Sequence, residues 1–193
     1  MFEAPLGDGP LMASAEIATI PVDATISGMF LIPMVAEASR LERTLPSARA
    51  RYSPFQFYSL REHVTLMFEA AGVLFPDHSP RRALRKLGRG AASALLSSML
   101  GRVMFSSVLT PLDSLSAMAK SYELNLKPGR AQVVDHGPGF AIVELKDVHY
   151  LLDTHHVGVM EGLLGRLGIR PEVKARHLSG GHAELLVSWG AGA

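Results

Sequence analysis

Cysteine is absent from the 193-residue chain, which excludes disulfides, thiolate zinc sites and cysteine nucleophiles. Charged residues make up only 19% of the sequence against 48% hydrophobic residues, so the composition excludes a disordered chain. The length is that of about one domain and is enough to bury a core. Residues 1–10 are acidic and broken by glycine and proline, unlike a signal peptide. We therefore expect a cytoplasmic protein.

The sequence also has no clear membrane-spanning segment. The nearest candidate, residues 91–108, is apolar but contains Arg102 and five serines. An arginine within a span costs about 2.5 to 3.5 kcal/mol on insertion scales, and the serines weaken the apolar character further. This segment predicts a buried core helix and no membrane span.

Sequence motifs of known catalytic sites are missing as well. We find no nucleophile elbow, no phosphate-binding loop and no paired catalytic carboxylates. Gly137-Pro138-Gly139 is a turn rather than a phosphate loop, because a strand and not a helix is predicted after it. We therefore expect that the protein is not an enzyme.

Eight histidines raise the question of a metal site. His149, Asp153 and His156 would share one helix face if a helix began early, but a loop over residues 150–152 would separate them. His177 and His182 would face each other across the last hairpin, either as metal ligands or as an exposed polar pair. Because no metalloenzyme spacing such as His-Glu-x-x-His is present, we predict no metal site.

Apolar periodicity and capping signals predict the order of the elements. Helices are predicted over residues 27–41, 53–72, 79–103, 110–120 and 153–167. Three of them begin with a capping residue followed by proline, at Ser53, Ser79 and Thr110. Strands are predicted over residues 15–22, 122–126, up to 137, 140–148, 171–178 and 182–189. After a flexible N-terminus (residues 1–14), we predict one α+β domain over residues 15–190. Its helical N-terminal part packs on a C-terminal antiparallel sheet of four to five strands with one covering helix.

A basic stretch stands out, because residues 79–130 contain nine basic and two acidic side chains. On one side of a predicted helix lie Arg81, Arg82, Arg85, Lys86 and Arg89. This side is either a patch for an anion or a partner, or a solvated helix face. No aromatic platform or groove-reading motif accompanies it, so a nucleic-acid partner is not expected.

The two longest predicted helices are rich in methionine and phenylalanine. Such side chains either line an apolar cavity or fill a core. If a cavity exists, the predicted residues of an apolar ligand pocket are Leu60, Val64, Met67, Phe68, Leu95 and Met99.

The order of several short motifs resembles a known family. A Ser-Gly-Met-Phe-Leu run at residues 27–31 is followed by Tyr52 and by an aromatic helix that ends near Leu74-Phe75-Pro76. The later motifs are residues 83–89 (Ala-Leu-Arg-Lys-Leu-Gly-Arg), Leu100-Gly101-Arg102, residues 158–162 and Val187-Ser188-Trp189. Over residues 25–190 the chain is similar to an uncharacterised family found in many paralogous copies in myxobacteria. That family carries no established activity.

The layout in turn resembles a superfamily of vinyl-4-reductase-type sensor domains, haem-based nitric oxide sensors and transport-particle subunits of Golgi traffic. This resemblance implies a helical part, an antiparallel sheet and an apolar ligand pocket between them. The haem branch carries a Tyr-x-Ser-x-Arg motif on the sheet and a proximal histidine. Here residues 58–61 (Tyr-Ser-Leu-Arg) have a different spacing and are expected on a helix, and His63 is the only histidine in the long N-terminal helices. We predict that the domain holds neither haem nor another cofactor.

Two hypotheses of function follow. The first is a non-enzymatic sensory or regulatory domain that binds a small apolar ligand between helices and sheet. The second is an interaction module that forms a homodimer or docks onto a protein partner in a signalling complex. The second rests on the first long helix, where Met29, Leu31, Ile32 and Val35 make a run that is more apolar than a surface helix needs.

Overall fold

Helices dominate the first two thirds of the chain, and a sheet closes it. The computed structural model describes residues 1–3, 9–108 and 110–190. Within these residues the helices are α1 (Ala13–Thr19), α2 (Ile32–Arg40), α3 (Leu60–Leu74), α4 (Pro80–Ser97), α5 (Met99–Met104), α6 (Pro111–Asn125) and α7 (His155–Gly165). The strands are β1 (Thr25–Ser27), β2 (Phe57–Ser59), β3 (Leu126–Lys127), β4 (Arg130–Gly137), β5 (Phe140–Lys146), β6 (Glu172–Ser179) and β7 (His182–Ser188).

The strands form two antiparallel sheets. The larger has the order β4-β5-β7-β6, and its two hairpins join through pairing of β5 with β7, where Val143 lies opposite Leu185. Along β5 and β7 every second residue is buried, so one face of this sheet packs on the core. The smaller sheet has the order β2-β1-β3, and a 3₁₀ turn over Gly28–Phe30 leads from it into α2.

Helices α4 and α7 pack backbone against backbone. A Cβ atom built on Gly88 would lie 2.0 Å from the carbonyl oxygen of His155, and one built on Gly158 would lie 2.0 Å from that of Arg85. Only glycine permits so close an approach. These contacts position the first turn of α7 against α4.

Several predicted features are confirmed. The chain is α+β, with helices first and an antiparallel sheet last. Helix α4 begins at Pro80 with Ser79 as its cap, and Thr110 and Asp113 form a capping box at the start of α6. The last hairpin lies within a residue or two of its predicted limits. The domain limits and the flexible N-terminus stay predictions, and residues 4–8 of that terminus lie outside the described residues.

Two predicted strands are wrong. Residues 15–19 belong to α1 rather than to a strand, and the extended backbone of Ile20 ends that helix. Residues 122–126 belong almost entirely to α6, where Met118 and Tyr122 are buried at helical spacing. Only Leu126 and Lys127 are extended there.

The helix predicted from Ser53 begins later, at Leu60. Residues 57–59 form β2 instead, because Tyr58 pairs with Ile26 of β1. The hydrogen bonds of the small sheet thus override a local capping signal. Tyr58 and Ser59 therefore lie on a strand and not, as predicted, on a helix.

The long helix predicted over residues 79–103 is broken in two. Ser98 ends α4 and caps α5, since its Oγ accepts a hydrogen bond of 2.9 Å from the backbone N–H of Gly101. The break turns the following residues outward, and Met99 is 74% exposed. Among the described residues, no helix is long and apolar enough to cross a membrane.

Candidate ligand cavity

A cavity lies where α3, α4, α6 and α7 meet the small sheet. Its volume is about 40 Å³, which is room for about three water-sized groups at 10 to 15 Å³ each. Its apolar side is formed by Ile26, Phe30, Ala91, Ala92, Leu95, Met118, Leu126 and Val159. Its polar side is formed by His63, Ser121, Tyr122, Asn125, Tyr150, His155 and His156. The four-stranded sheet contributes none of these described residues.

Three buried histidines surround one tyrosine on the polar side. His63 comes from α3, and His155 and His156 are the first two residues of α7. The Tyr150 ring centroid lies 6.0 Å from that of His63, 5.9 Å from that of His155 and 4.7 Å from that of His156. Each of these side chains is at most 5% exposed. We call these four residues together with Tyr122 the histidine cluster.

The cluster is incompletely hydrogen-bonded. The Tyr122 hydroxyl lies 2.7 Å from Nδ1 of His156. By contrast, Nδ1 of His63, Nδ1 of His155 and Nε2 of His156 are buried and have no hydrogen-bond partner within the described chain. A buried polar atom left unpaired costs about 1 to 3 kcal/mol. Three such atoms beside one cavity are therefore a large cost for a domain whose net stability is about 5 to 15 kcal/mol.

Burial also keeps the cluster uncharged. It lowers the pKa of His63 to about 3 and that of His155 to about 4, and it lowers the pKa of His156 well below its ordinary value. The nearby histidines add to the effect on His63 and His156. Burial raises the pKa of Tyr122 and Tyr150. Near pH 7 the cluster consists of neutral imidazoles and phenols, which can hydrogen-bond but carry no charge.

Most residues of the predicted apolar pocket do not line the cavity. Leu95 lines the cavity. Leu60, Val64 and Met67 are fully buried in the core, and Phe68 is partly buried against it, but none of them lines the cavity. Met99 is at the surface, because the helix break at Ser98 removes it from the face that Leu95 occupies.

The side chains of the predicted basic patch make contacts within the protein. Nη1 of Arg81 lies 2.7 Å from a carboxylate oxygen of Asp153, while Arg85 and Arg89 both pair with Glu161. Nζ of Lys86 lies 5.2 Å from the ring centroid of Phe75, a cation–π contact, and the backbone N–H of Arg82 donates to the Ser79 cap. Burial acts to raise the pKa of Glu161, but the hydrogen bonds from Arg85 and Arg89 lower it below its usual value. The ion pairs tie α4 to α7 and to the loop before it, and binding of an external anion there stays a prediction.

The sequence did not predict the histidine cluster. Helix α7 begins at His155, so His149 lies in the preceding loop, and Asp153 pairs with Arg81. In the last hairpin, His182 pairs with Glu144 at 2.9 Å while His177 is exposed. The usable signal was the pair of adjacent histidines directly before the apolar run from residue 157 to 160. Within the described ranges, no three His, Cys, Asp or Glu side chains are grouped to hold a metal ion.

Comparison with known families gives a direct match over most of the chain. The model of a protein family of unknown function, DUF2378, matches residues 21–190. The chain belongs to this family. No curated protein matches it in sequence.

Solved structures show what fold this DUF2378 chain has. The Fe(II)NO-ligated H-NOX protein from S. oneidensis superimposes with a TM-score of 0.64 at 11% identity, covering 86% of this chain and 99% of that one. The Fe(II) unliganded H-NOX protein from K. algicida gives 0.62 at 12% identity, covering 86% and 97%. An H-NOX protein from work on haem distortion gives 0.60 at 11% identity, covering 86% and 93%. The fold is therefore H-NOX-like.

Haem does not fit the residues that this DUF2378 chain places in the cavity. Cofactor pockets typically measure about 300 to 1,000 Å³, several times the 40 Å³ present. The unpartnered imidazole nitrogens are buried among packed atoms. Arg61, in the segment that differs from the Tyr-x-Ser-x-Arg motif, instead donates hydrogen bonds of 2.6 and 3.0 Å to the carbonyl of Ile20.

Proposed function

We propose that the protein is a non-enzymatic sensory or regulatory domain that binds a small ligand in the cavity among α3, α4, α6 and α7. The observation that supports this proposal most strongly is the cavity itself, which lies inside an H-NOX-like fold. Proteins with that fold include one described in an Fe(II)NO ligation state, which supports a ligand-binding role.

The size and lining of the cavity limit the ligand. A space of about 40 Å³ admits a molecule of a few non-hydrogen atoms and no lipid or large cofactor. Leu95, Met118 and Val159 on the apolar side favour burial of hydrocarbon, by about 25 cal/mol per Å². We therefore keep the hypothesis of a small, mainly apolar ligand. Its binding place is among the helices and the small sheet rather than against the four-stranded sheet. A cytoplasmic regulatory role is part of this proposal.

Xenon provides a direct test, because it enters dry apolar cavities. Methyl NMR spectra of the full chain under xenon pressure should show saturable shifts at Leu95, Met118 and Val159. An Ala92→Leu variant should abolish those shifts, since Ala92 lines the cavity and a larger side chain would fill it. The matched control is Ala36→Leu at an exposed position of α2, which should leave them unchanged. Absence of xenon shifts in the unmodified protein would refute the proposal.

A second candidate function is docking of a partner, at a surface other than the one predicted. Leu31 is fully buried, Met29 and Val35 pack against the core, and Ile32 is half-buried, so the predicted face offers little free apolar surface. Instead, Met99 and Val103 on α5 are 74% and 71% exposed.

Beside these residues lies a groove of about 250 Å³ between α5 and α7. Leu96, Phe105 and Leu167 give it an apolar floor, and Arg102 and Arg166 line it. In a symmetric dimer through this face the arginines of both copies would be brought together, which is unfavourable. The groove therefore favours an acidic, apolar segment of another protein over a second copy of this chain.

This docking proposal can be tested with Met99→Ser/Val103→Ser. Partner capture from the native host should fall with this double variant and should not fall with Leu124→Ser, a change at an exposed leucine of α6. Light scattering should give a monomer mass for the unmodified chain. A dimer that persists in Met99→Ser/Val103→Ser would contradict the choice of surface.

A further inference from the structure

The polar side of the cavity has no role in binding an apolar ligand. Hydrocarbon would leave the unpartnered nitrogens of His63, His155 and His156 as they are. Buried imidazoles in an ordinary core are paired, because unpaired ones are costly. The three histidines that carry such nitrogens line one cavity, which points to a hydrogen-bonding occupant.

We propose that the histidine cluster binds a neutral, hydrogen-bonding molecule of about three non-hydrogen atoms, in the class of short alcohols and primary amides. This inference rests on the proposed function and specifies the polar end of the ligand.

Neutrality of the ligand follows from the surroundings of the cavity. No Asp, Glu, Lys or Arg is among its described lining residues. The nearby ions Arg81 and Asp153 neutralise each other at 2.7 Å. An ionised ligand would lose its hydration without gaining a counterion, which is strongly unfavourable. A neutral molecule avoids this cost.

The hydrogen-bonding character follows from the imidazoles. A neutral imidazole has one N–H donor and one acceptor nitrogen, so three of them offer both kinds of group. The Tyr122 hydroxyl holds Nδ1 of His156 at 2.7 Å and so orients that ring. Alcohols and primary amides likewise both donate and accept hydrogen bonds. Binding requires the imidazole rings to rotate until their enclosed nitrogens face the ligand.

The test compares probes of equal size and different polarity on the full chain. Formamide and propane each have three non-hydrogen atoms. With ¹⁵N-labelled histidine, formamide should give saturable shifts of the His63, His155 and His156 ring nitrogens. It should bind about tenfold more tightly than propane, the value of one additional hydrogen bond.

Variants identify the residue responsible. His63→Leu should abolish the tenfold preference for formamide over propane, while His63→Gln, which can still hydrogen-bond, should restore much of that preference. His177→Leu, at an exposed position, is the matched control and should change neither affinity. If His63→Leu does not fold, the formamide and propane comparison on the unmodified chain decides alone.

The outcomes separate this inference from the proposed function. Propane binding as tightly as formamide would overturn the inference while leaving an apolar ligand site in place. The inference would also be overturned if Zn²⁺ shifted the ring-nitrogen signals of the three histidines and formamide did not, because the cluster would then be a metal site. Failure of formamide, propane and xenon alike would overturn both.

Discussion

Acid should destabilise this fold well before its carboxylates titrate. The perturbation is a change from pH 7.5 to pH 5, across the ordinary histidine pKa of about 6.5. Burial lowers the pKa of His63 to about 3 and of His155 to about 4, so both rings remain neutral in the folded state at pH 5. In the unfolded chain the same rings take up protons below about pH 6.5. The contribution of these neutral histidines to stability is therefore fully present above about pH 6.5. It is lost as the pH falls toward the pKa values that the two histidines have in the folded chain.

The expected loss is large. Each proton bound only by the unfolded state lowers the free energy of unfolding by about 1.4 kcal/mol per pH unit. Over the roughly 1.5 units between pH 6.5 and pH 5, His63 and His155 together account for about 4 kcal/mol. His156, whose pKa is also lowered by burial, acts in the same direction. The sum is comparable to the net stability of a small domain, about 5 to 15 kcal/mol.

Urea unfolding followed by circular dichroism at pH 7.5, 6.5 and 5 measures this loss. The free energy of unfolding should fall by several kcal/mol across the series with an unchanged m-value. His63→Leu should remove about 2 kcal/mol of the pH dependence, since one titrating group is gone. His177→Gln, at an exposed position, should leave the pH dependence as it is.

An equal free energy of unfolding at pH 7.5 and pH 5 would refute the reasoning, because it would mean that the three imidazoles protonate as easily in the folded chain as in the unfolded one. A loss that His177→Gln removes and His63→Leu does not would place the titrating group outside the histidine cluster.

Three further predictions concern helix packing, helix capping and haem. Gly88→Ala should lower the free energy of unfolding by about 1 to 3 kcal/mol or more, because its Cβ would meet the α7 backbone at 2.0 Å. Gly90→Ala, two residues along the same helix with nothing within 4 Å, should instead raise it by about 0.5 to 1 kcal/mol in the same urea titration. Thr110→Ala should lower the free energy of unfolding by about 0.5 to 2 kcal/mol, because the capping box of α6 is lost. Thr110→Ser should keep most of the stabilisation that this capping box provides. Protein expressed with added haem should show no stoichiometric Soret band, and such a band, lost in His63→Leu, would contradict that expectation.

Local signals in the sequence were reliable where the neighbouring chain alone decides the structure. The caps at Ser79 and Thr110 mark the starts of α4 and α6, because a capping side chain bonds to backbone only two or three residues away. The last hairpin was equally predictable, since alternation along each strand and the turn between them are local properties. The α+β class followed from the order of these elements.

Tertiary contacts decided the remainder. The cap signal at Ser53 was overridden when residues 57–59 paired with β1, an interaction with a segment thirty residues earlier that no local pattern encodes. The candidate site depends on the same kind of contact. His63 on α3 lines the same cavity as His155 and His156 on α7, and Gly88 and Gly158 let that turn of α7 approach α4 to backbone distance. Sequence spacing places residues on one helix face, but a cavity between helices is set by packing, so the histidine cluster was visible only in the folded chain.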